Sequence, residues 1–524
     1  MSTIPRGTWA AGTSSDPLAG TITAYLRGLE AGDWTAVEIT AIALERCRTD
    51  GAAWRAIDAL DPDTALADAR AADARRRKGR RLGPLDGVPV FAKSIYDMRG
   101  LPTTASSAEW AQAFPERVAR DALEVARLRA GGAIVLGKTA ADDFAYRGNG
   151  TSSHTGQVLN PYDRTGTRTP GGSSAGSAVA VAGGMAFAAL GTDDGGSNRI
   201  PAQFTGVVGM KPTFGLVPRT GVIPTWPYLD THGPLARTVA DAARLLAVIA
   251  GADASDPLAL EGAWHADGLM GLRNDALDQI RLGLVEQHVP RAAMTGEALA
   301  VWDRAVGDLR AAGAVVEPFT PAVTLQTVQE AFAQAAAKRG DVVPDPKSPA
   351  PTANALYAYF VGRRIRGQGA APTERADAMS RGYAAYRAFY DVLPPTYEEC
   401  EPLLGRPIFE DPAGRSFARS RAAVVEALAA SMRSQRIKAM AYPTMPFNAP
   451  RAVDDWPDIR TPLGYGNWLG LPEVSVPAGY GADGMPALNV SIVGLPGEDA
   501  QVLAWAHAFE RQGQRFEAPP RTEL

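Results

Sequence analysis

The sequence predicts an α/β fold: a large, twisted, mostly parallel mixed sheet covered by helices, built as a single core with a helical insertion. Three observations carry this. Short apolar, β-branched runs alternate with longer stretches of helical period through the first half of the chain, the texture of strands covered by helices. The runs are apolar throughout, as strands buried on both faces are. The texture stops near residue 255 and resumes near 435, so one core is interrupted and then completed.

The elements follow in order. Residues 21–47 predict two helices broken at Gly32-Asp33, with Thr35 capping the second, and a further helix fits 63–80. PLDGVPVFAK, 84–93, is a turn running into a β-type stretch at Val88–Phe91. Helical period returns over 117–130 before Gly131-Gly132, and AIVLGKT, 133–139, reads as a buried strand and turn. AGSAVAVAGGMAFAAL, 175–190, predicts one helix with a very apolar face. GVVGMKPTFGLVP, 206–218, predicts strand, turn and strand, and 236–251 an amphipathic helix stopped by glycine. Between about 255 and 430 helices dominate, at 297–311, 324–338 and 413–435, with a proline-rich connection at 343–351. Strand texture resumes at 439–446, 474–477 and 486–494, and a helix at 497–511 closes the chain. The predicted division is an N-terminal helical region, 1–80, packing on a core at 81–254. A helical insertion or lobe at 255–434 shapes a cleft, and 435–524 completes the core.

Composition narrows the function. With 524 residues, 46% of them hydrophobic, the chain can bury a large core. Its 53 basic and 57 acidic residues give a net charge of -4, and clusters such as Arg75-Arg76-Arg77 alternate with acids on a helix, so no nucleic-acid partner is expected. Cys47 and Cys400 make neither a disulfide framework nor a metal-ligand spacing, and no His or Cys cluster suggests a metal or other cofactor. The N-terminus lacks a basic segment followed by an apolar one. The longest apolar stretch, 178–190, has 13 residues. That is short of the roughly 20 that span a bilayer. A cytoplasmic protein with no membrane partner is the expectation.

Two glycine-packed turns hold the chemistry. PGGSSAGS, 170–177, and GTDDGGSNR, 191–199, place Ser173 and Ser197 24 positions apart. Glycine permits close backbone approach and positive φ, so paired turns of this kind suggest backbone shaped around something small. A serine that attacks a carbonyl needs a base. The five histidines follow no α/β-hydrolase order, and no G-x-S-x-G elbow occurs. A lysine depressed by burial can replace histidine. Lys93 ends the apolar run VPVFAK; read alone, it is either that base or an edge lysine reaching past a strand end.

An ordered series of segments now enters: GVPVFAKS (87–94), GKTAADDFA (137–145), NPYD (160–163), TPGGSSAGSAVAVAGG (169–184) and GTDDGGSNRIPAQFTGVVGMKPTFGLVPRTGVIP (191–224). THGPLARTVADAARLL (231–246), YPTMPFNAP (442–450) and LGLPEVSVPAG (469–479) follow. In this order they resemble the amidase signature family of serine amidohydrolases. The resemblance implies that family's α/β fold and a Ser-Ser-Lys triad, with Ser197 as nucleophile, Ser173 as bridging serine on a cis peptide given room by Gly172, and Lys93 as base. It also implies an oxyanion hole from the backbone N–H groups of Asp194, Gly195, Gly196 and Ser197. Ser174 would support the network, and Arg199 would anchor the loop through Asp193. The implied activity is hydrolysis of linear carbon–nitrogen amide bonds through an acyl-enzyme, without a cofactor. A stand-alone amidase for small aryl or hydrophobic acyl amides is the main expectation, with a small-molecule amide as its partner and a homodimer as the family's suggestion. The alternatives are the glutamine-hydrolysing subunit of a tRNA-dependent amidotransferase, or an esterase.

Three positions depart from the family's usual residues: Ser94 stands for Asp, Asp194 for Thr, and Asn198 for a β-branched aliphatic. Asp194 pointing inward would oppose an oxyanion and favour a substrate bearing an amine. The expected orientation is outward, paired with Arg199. Phe144, Tyr146, Trp226, Tyr228, Tyr465 and Trp468 are the expected lining of an acyl pocket.

Overall fold

The computed structural model describes residues 16–260, 266–360, 372–391, 393–404, 408–452, 463–513 and 515–520. Thirteen strands among them are β1 Ile57–Leu60, β2 Pro89–Lys93, β3 Ile134–Thr139, β4 Thr151–Ser152, β5 Gly156–Gln157, β6 Ala188–Asp193, β7 Val208–Lys211, β8 Thr231–Ala236, β9 Arg281–Leu284, β10 Val315–Pro318, β11 Ala439–Pro443, β12 Glu473–Tyr480 and β13 Pro486–Val493. β4 and β5 form a small ribbon, and the other 11 make one sheet in the order β1-β3-β2-β6-β8-β7-β12-β13-β11-β9-β10. The sheet is mixed. β3-β2-β6 are parallel near one edge and β11-β9-β10 at the other. The centre, from β6 through β8, β7, β12 and β13 to β11, is antiparallel. Nearly every residue of the central strands is buried, because helices cover both faces.

Local chemistry explains most boundaries. The helix Ile22–Ala31 stops at Gly32, which takes φ 79. The next, Ala36–Arg48, starts at Thr35, whose hydroxyl and Glu38 form a reciprocal capping box. The helix before β3 covers only Leu123–Ala130, later than its period predicts, with Gly131 closing it.

Three expectations are corrected. The apolar stretch 175–190 is not one helix: Ala175–Ala182 is helical, Gly183-Gly184 turn the chain, and 188–193 become β6. Gly184 takes φ 65 there, a conformation that an L side chain resists. Only the first strand forms in 206–218, because the chain after Lys211 folds into a turn held by the carboxylate of Asp499 on the N–H and hydroxyl of Thr213. The 255–434 stretch is not purely helical. It supplies β9 and β10, which extend the main sheet beside β11.

The Ala175–Ala182 helix fixes the two glycine turns against the parallel strands. The Gly176 N–H donates to the Ala140 carbonyl at 2.9 Å, just past β3. A Cβ at Gly176 would lie 2.2 Å from the Ala56 carbonyl oxygen and 2.6 Å from that of Ala140. Both obstacles are backbone, so neither can swing aside. Gly176→Ala is expected to lower stability by about 1–3 kcal/mol, the cost of overpacking a filled core. A urea melt with an unchanged midpoint would refute this packing account.

Candidate active site

The parallel strands β3, β2 and β6 end on the same side of the sheet, where open α/β sheets form their crevices. β2 ends at Lys93 and β6 at Asp193, and the second glycine turn leaves β6 directly. The Lys93 side chain is buried, and its Nζ donates to Ser173 Oγ at 2.7 Å and to Thr192 Oγ1 at 2.9 Å. The Gly172–Ser173 peptide is cis. A Cβ on Gly172 would lie 2.9 Å from both carboxylate oxygens of Asp142, so only glycine fits beneath that acid. The Ser174 N–H donates to the Ser197 carbonyl at 3.1 Å, which clasps the two serine turns together. Lys93 and Ser173 are fully buried, whereas Ser197 keeps 8% of its surface exposed. Of the three, Ser197 is the one a ligand can reach.

Burial is the main influence on Lys93 and lowers its pKa from the usual lysine range to about 8. The charges of Asp194, Asp142, Asp230 and Asp193 oppose that fall. Asp142 is itself pushed up to about 7 by burial, against the pull of Lys93 and of the Asn149, Gly150 and Thr151 N–H groups.

The loop bearing Ser197 is shaped by Asp193 and Arg199, both without exposed side-chain surface. Arg199 Nε and Nη2 reach the two Asp193 oxygens at 2.9 and 2.7 Å, and Nη1 reaches Glu473 Oε2 at 2.6 Å. Burial alone would raise the Asp193 carboxyl; the Arg199 charge and hydrogen bonds hold it well below the usual range. The same carboxylate accepts the N–H of Gly196 at 2.7 Å and of Asn198 at 3.2 Å. One expectation changes as a result. The Gly196 N–H is engaged inside the loop, while those of Asp194, Gly195 and Ser197 have no acceptor among the described residues. Gly196 is needed for another reason: at φ 119, its Cβ would press within 2.6 Å of Leu463 Cδ1. Gly195 is exposed, and a Cβ there would meet nothing within 4 Å, which marks the open side of the loop.

The three unusual positions find local partners. Ser94 Oγ accepts from Ser106 Oγ at 2.8 Å. Asn198 links the Ser174 hydroxyl at 3.1 Å to the Met210 carbonyl at 3.0 Å, joining the helix start to β7. Asp194 does not pair with Arg199, whose donors are taken by Asp193, Glu473, Leu463 and Asn467. Strand alternation gives the reason. Asp193 turns to the Arg199 side, and Thr192 to the Lys93 side. Asp194, two residues on from Thr192, shares the Lys93 side. Its carboxyl is buried, has no hydrogen-bond partner on either oxygen, and stands beside Asp230.

The aromatic expectation divides. Phe144, Tyr146 and Trp226 lie in one cluster with Tyr386 and Tyr390; Tyr390 is 4.8 Å from Tyr146 and 5.2 Å from Trp226 between ring centres. Tyr228 and Trp468 instead pack on Phe417, and Tyr465 on His288 with its hydroxyl on the Val323 carbonyl. These three belong to other packing clusters and do not join the first. Thr192, Asp142, Asp230, Tyr386 and Tyr390 are members of the site that the sequence reading omits. Asp230 was the most accessible, because it directly precedes the strand-like THGPLA segment.

The family model described as Amidase matches residues 38–503 of the chain that carries this geometry. The GatA-type component of glutamyl-tRNA(Gln) amidotransferase from Chloroflexus aurantiacus is 34% identical over 96% of this chain and 98% of its own. That from Symbiobacterium thermophilum is 35% identical over 94% and 96%. The peptide amidase of Stenotrophomonas maltophilia superposes with a TM-score of 0.77 at 30% identity, covering 95% of this chain and 98% of that one. The expected partner set, a small-molecule amide and a second copy with no nucleic acid, does not stand, because these curated relatives are subunits of an enzyme named for a tRNA. No described helix is long and apolar enough to cross a membrane.

Replacing Arg199 would leave Asp193 and Glu473 buried without their cation. Arg199→Met is expected to destabilise the protein by about 3–5 kcal/mol, read as a lowered denaturation midpoint. A loss below about 1 kcal/mol would show that the ion pair does not hold the loop.

Proposed function

Because the chain belongs to the amidase family, we propose that it hydrolyses carboxamides through an acyl-enzyme on Ser197 and serves as the glutamine-hydrolysing subunit of a tRNA-dependent amidotransferase. The observation that supports the chemistry best is the buried Lys93–Ser173 contact at 2.7 Å, one clasp away from the reachable Ser197. The likeness to two amidotransferase subunits over at least 94% of the chain supports the role.

In this reading neutral Lys93 takes a proton from Ser173 while Ser173 takes one from Ser197. Ser197 Oγ then bonds to the amide carbon. The oxyanion is met by the unengaged N–H groups of Asp194, Gly195 and Ser197, fixed donors of the kind worth roughly 2.7–4 kcal/mol each in the transition state. The proton returns through Ser173 to the leaving nitrogen, ammonia departs, and water attacks the acyl-enzyme along the same relay. Thr192 positions Lys93 by its second contact. A second reading, hydrolysis of a peptide amide, is favoured by the likeness to the peptide amidase at a TM-score of 0.77.

Ammonia release from glutamine and from a peptide amide separates the two readings. Glutamine turnover that rises when partner subunits are added supports the first, and turnover of the peptide amide alone supports the second. In either case Ser197→Ala, Ser173→Ala and Lys93→Ala are each expected to lower kcat/KM by at least ~100-fold, the scale of lost acid–base catalysis. A Lys93→Ala variant with near-normal turnover would sink the relay.

The pH profile is a further check. Lys93 must be neutral to accept a proton, and burial brings it to about 8. Activity should therefore be low where Lys93 is protonated, and kcat/KM should climb with pH to a plateau above an apparent pKa near 8. A profile that is flat from about pH 6 to about pH 9 would contradict this assignment of the base.

A further inference from the structure

Asp194 and Asp230 are placed opposite each other by the sheet. In the antiparallel pair β6–β8 the register runs Thr192↔His232, then Asp193↔Thr231. One step further, Asp194 meets Asp230. Directly opposed residues bring their Cβ atoms to about 4.5–5.5 Å, and like charges so placed destabilise a sheet. Both acids are buried. Asp230 Oδ2 accepts the Thr225 N–H at 2.9 Å, whereas neither oxygen of Asp194 has a donor. Burial, then Asp230, pushes the Asp194 carboxyl well above its usual range, with Lys93 pulling the other way. Asp193 is already balanced by Arg199, so it does nothing to relieve the pair.

An aromatic wall stands close by. Tyr386 and Tyr390 stack at 4.3 Å, and Trp226 meets Tyr390 edge-on at 5.2 Å. Trp226 and Asp230 are joined in one turn, in which the Asp230 N–H donates to the Trp226 carbonyl at 2.8 Å. Burial chiefly raises both tyrosines, and Asp194 adds to the rise in each, so the acid lies within electrostatic reach of the wall. Tyr386 and Tyr390 donate their hydroxyls to the carbonyls of Pro224 and Phe144, which leaves π surface as the feature offered to a ligand. That surface already receives a cation, since the exposed Lys347 places Nζ 5.5 Å from the Trp226 ring centre.

An unpartnered buried carboxyl, a second acid opposite it and an aromatic wall together form a receptor for a positive charge. We propose that the site selects amides whose acyl chain carries a protonated amine, with the ammonium received between Asp194 and Asp230 against the wall of Trp226, Tyr386 and Tyr390. This rests on the acyl-enzyme reading above and narrows its substrate class. Glutamine meets the requirement through its α-ammonium, but a simple ω-amino amide meets it as well. The ammonium does two things. It relieves two opposed acids, and it offsets a negative charge that would otherwise face the developing oxyanion beside the Asp194 N–H. The preference should therefore appear in kcat as well as in KM.

The test uses matched substrates differing only in the amine: 4-aminobutanamide against butanamide, and 5-aminopentanamide against pentanamide. Wild-type kcat/KM is expected to favour at least one amine-bearing partner tenfold or more, and Asp194→Asn and Asp230→Asn should each bring that ratio close to one. A readout without catalysis runs beside it: calorimetric binding of n-butylammonium to Ser197→Ala, expected to weaken at least tenfold when Asp194→Asn is added. Asp230→Asn leaves the Ser197 loop itself untouched and carries the comparison should Asp194→Asn fail to fold, as judged by its unfolding transition. A wild-type ratio near one, or a ratio that both Asn variants leave unchanged, overturns the proposal while neutral-amide turnover keeps the acyl-enzyme reading alive. If no amide is turned over, the acyl-enzyme reading fails, and absence of n-butylammonium binding then overturns this proposal on its own terms.

Discussion

The buried contact of Arg199 with Asp193 and Glu473 is the constraint on which the site depends. Asp193 ends β6 and Glu473 begins β12, 274 residues beyond Arg199, so one guanidinium joins the two halves of the core. Each partner is tied again. Glu473 accepts from Tyr442 at 2.9 Å and from Ser491 at 2.6 Å, and Asn467 donates to the Asp193 carbonyl at 2.8 Å. Buried charges contribute reliably only when such hydrogen bonds complete them, and here they are completed. The consequence for the loop is specific. With the Gly196 and Asn198 N–H groups bonded to Asp193, the backbone of Ser197 is held between two fixed points. Rigidity is gained at the expense of one donor, since the Gly196 N–H can no longer meet a ligand.

Lys93 shows the complementary principle, a buried charge left incompletely paired. Its two contacts are hydroxyls, and no carboxylate oxygen bonds to it directly. Four aspartates nevertheless surround it at longer range and hold its pKa higher than burial alone would. A base that must accept a proton and return it is best placed near the working pH, and this balance of desolvation against distant charge supplies that condition. A direct ion pair would stabilise the lysine better and would keep it protonated.

Much of this was legible in the sequence because it is local. Thr35, Gly32 and the glycine turns announce helix ends through their own chemistry. The order of the motif segments placed Lys93, Ser173 and Ser197 on one resemblance long before their contacts could be known. The failures are tertiary or periodic. The apolar run 175–190 lost its helix at Gly183-Gly184, a punctuation outweighed by uniform apolarity. β9 and β10 are four residues each, in a region whose long helices dominate the pattern. Tyr386 and Tyr390 lie outside every matching motif; only the packing of the Pro372–Arg387 helix and the turn after it brings them to Trp226. Tyr465 and Trp468 are near the site in sequence, yet they face other clusters, because neighbourhood along a helix does not fix which side a ring takes.

Asp194 is the instructive case, because the signal that locates it was available. GTDD reads along a strand, and strand side chains alternate, so Asp193 and Asp194 cannot share a partner on one face. Once Arg199 is assigned to Asp193, Asp194 must lie with Thr192, on the lysine side. The opposite strand then decides its neighbour: any chain that pairs Asp193 with Thr231 brings Asp230 against Asp194. Two acids in such a position are tolerable if one carries a proton, and the raised carboxyl of Asp194 describes that state. An incoming ammonium replaces that proton with a charge the ligand provides. The family's usual threonine at this position has no charge to be matched, and the departure therefore changes what the site asks of its substrate while leaving the lysine, the two serines and the loop geometry in place.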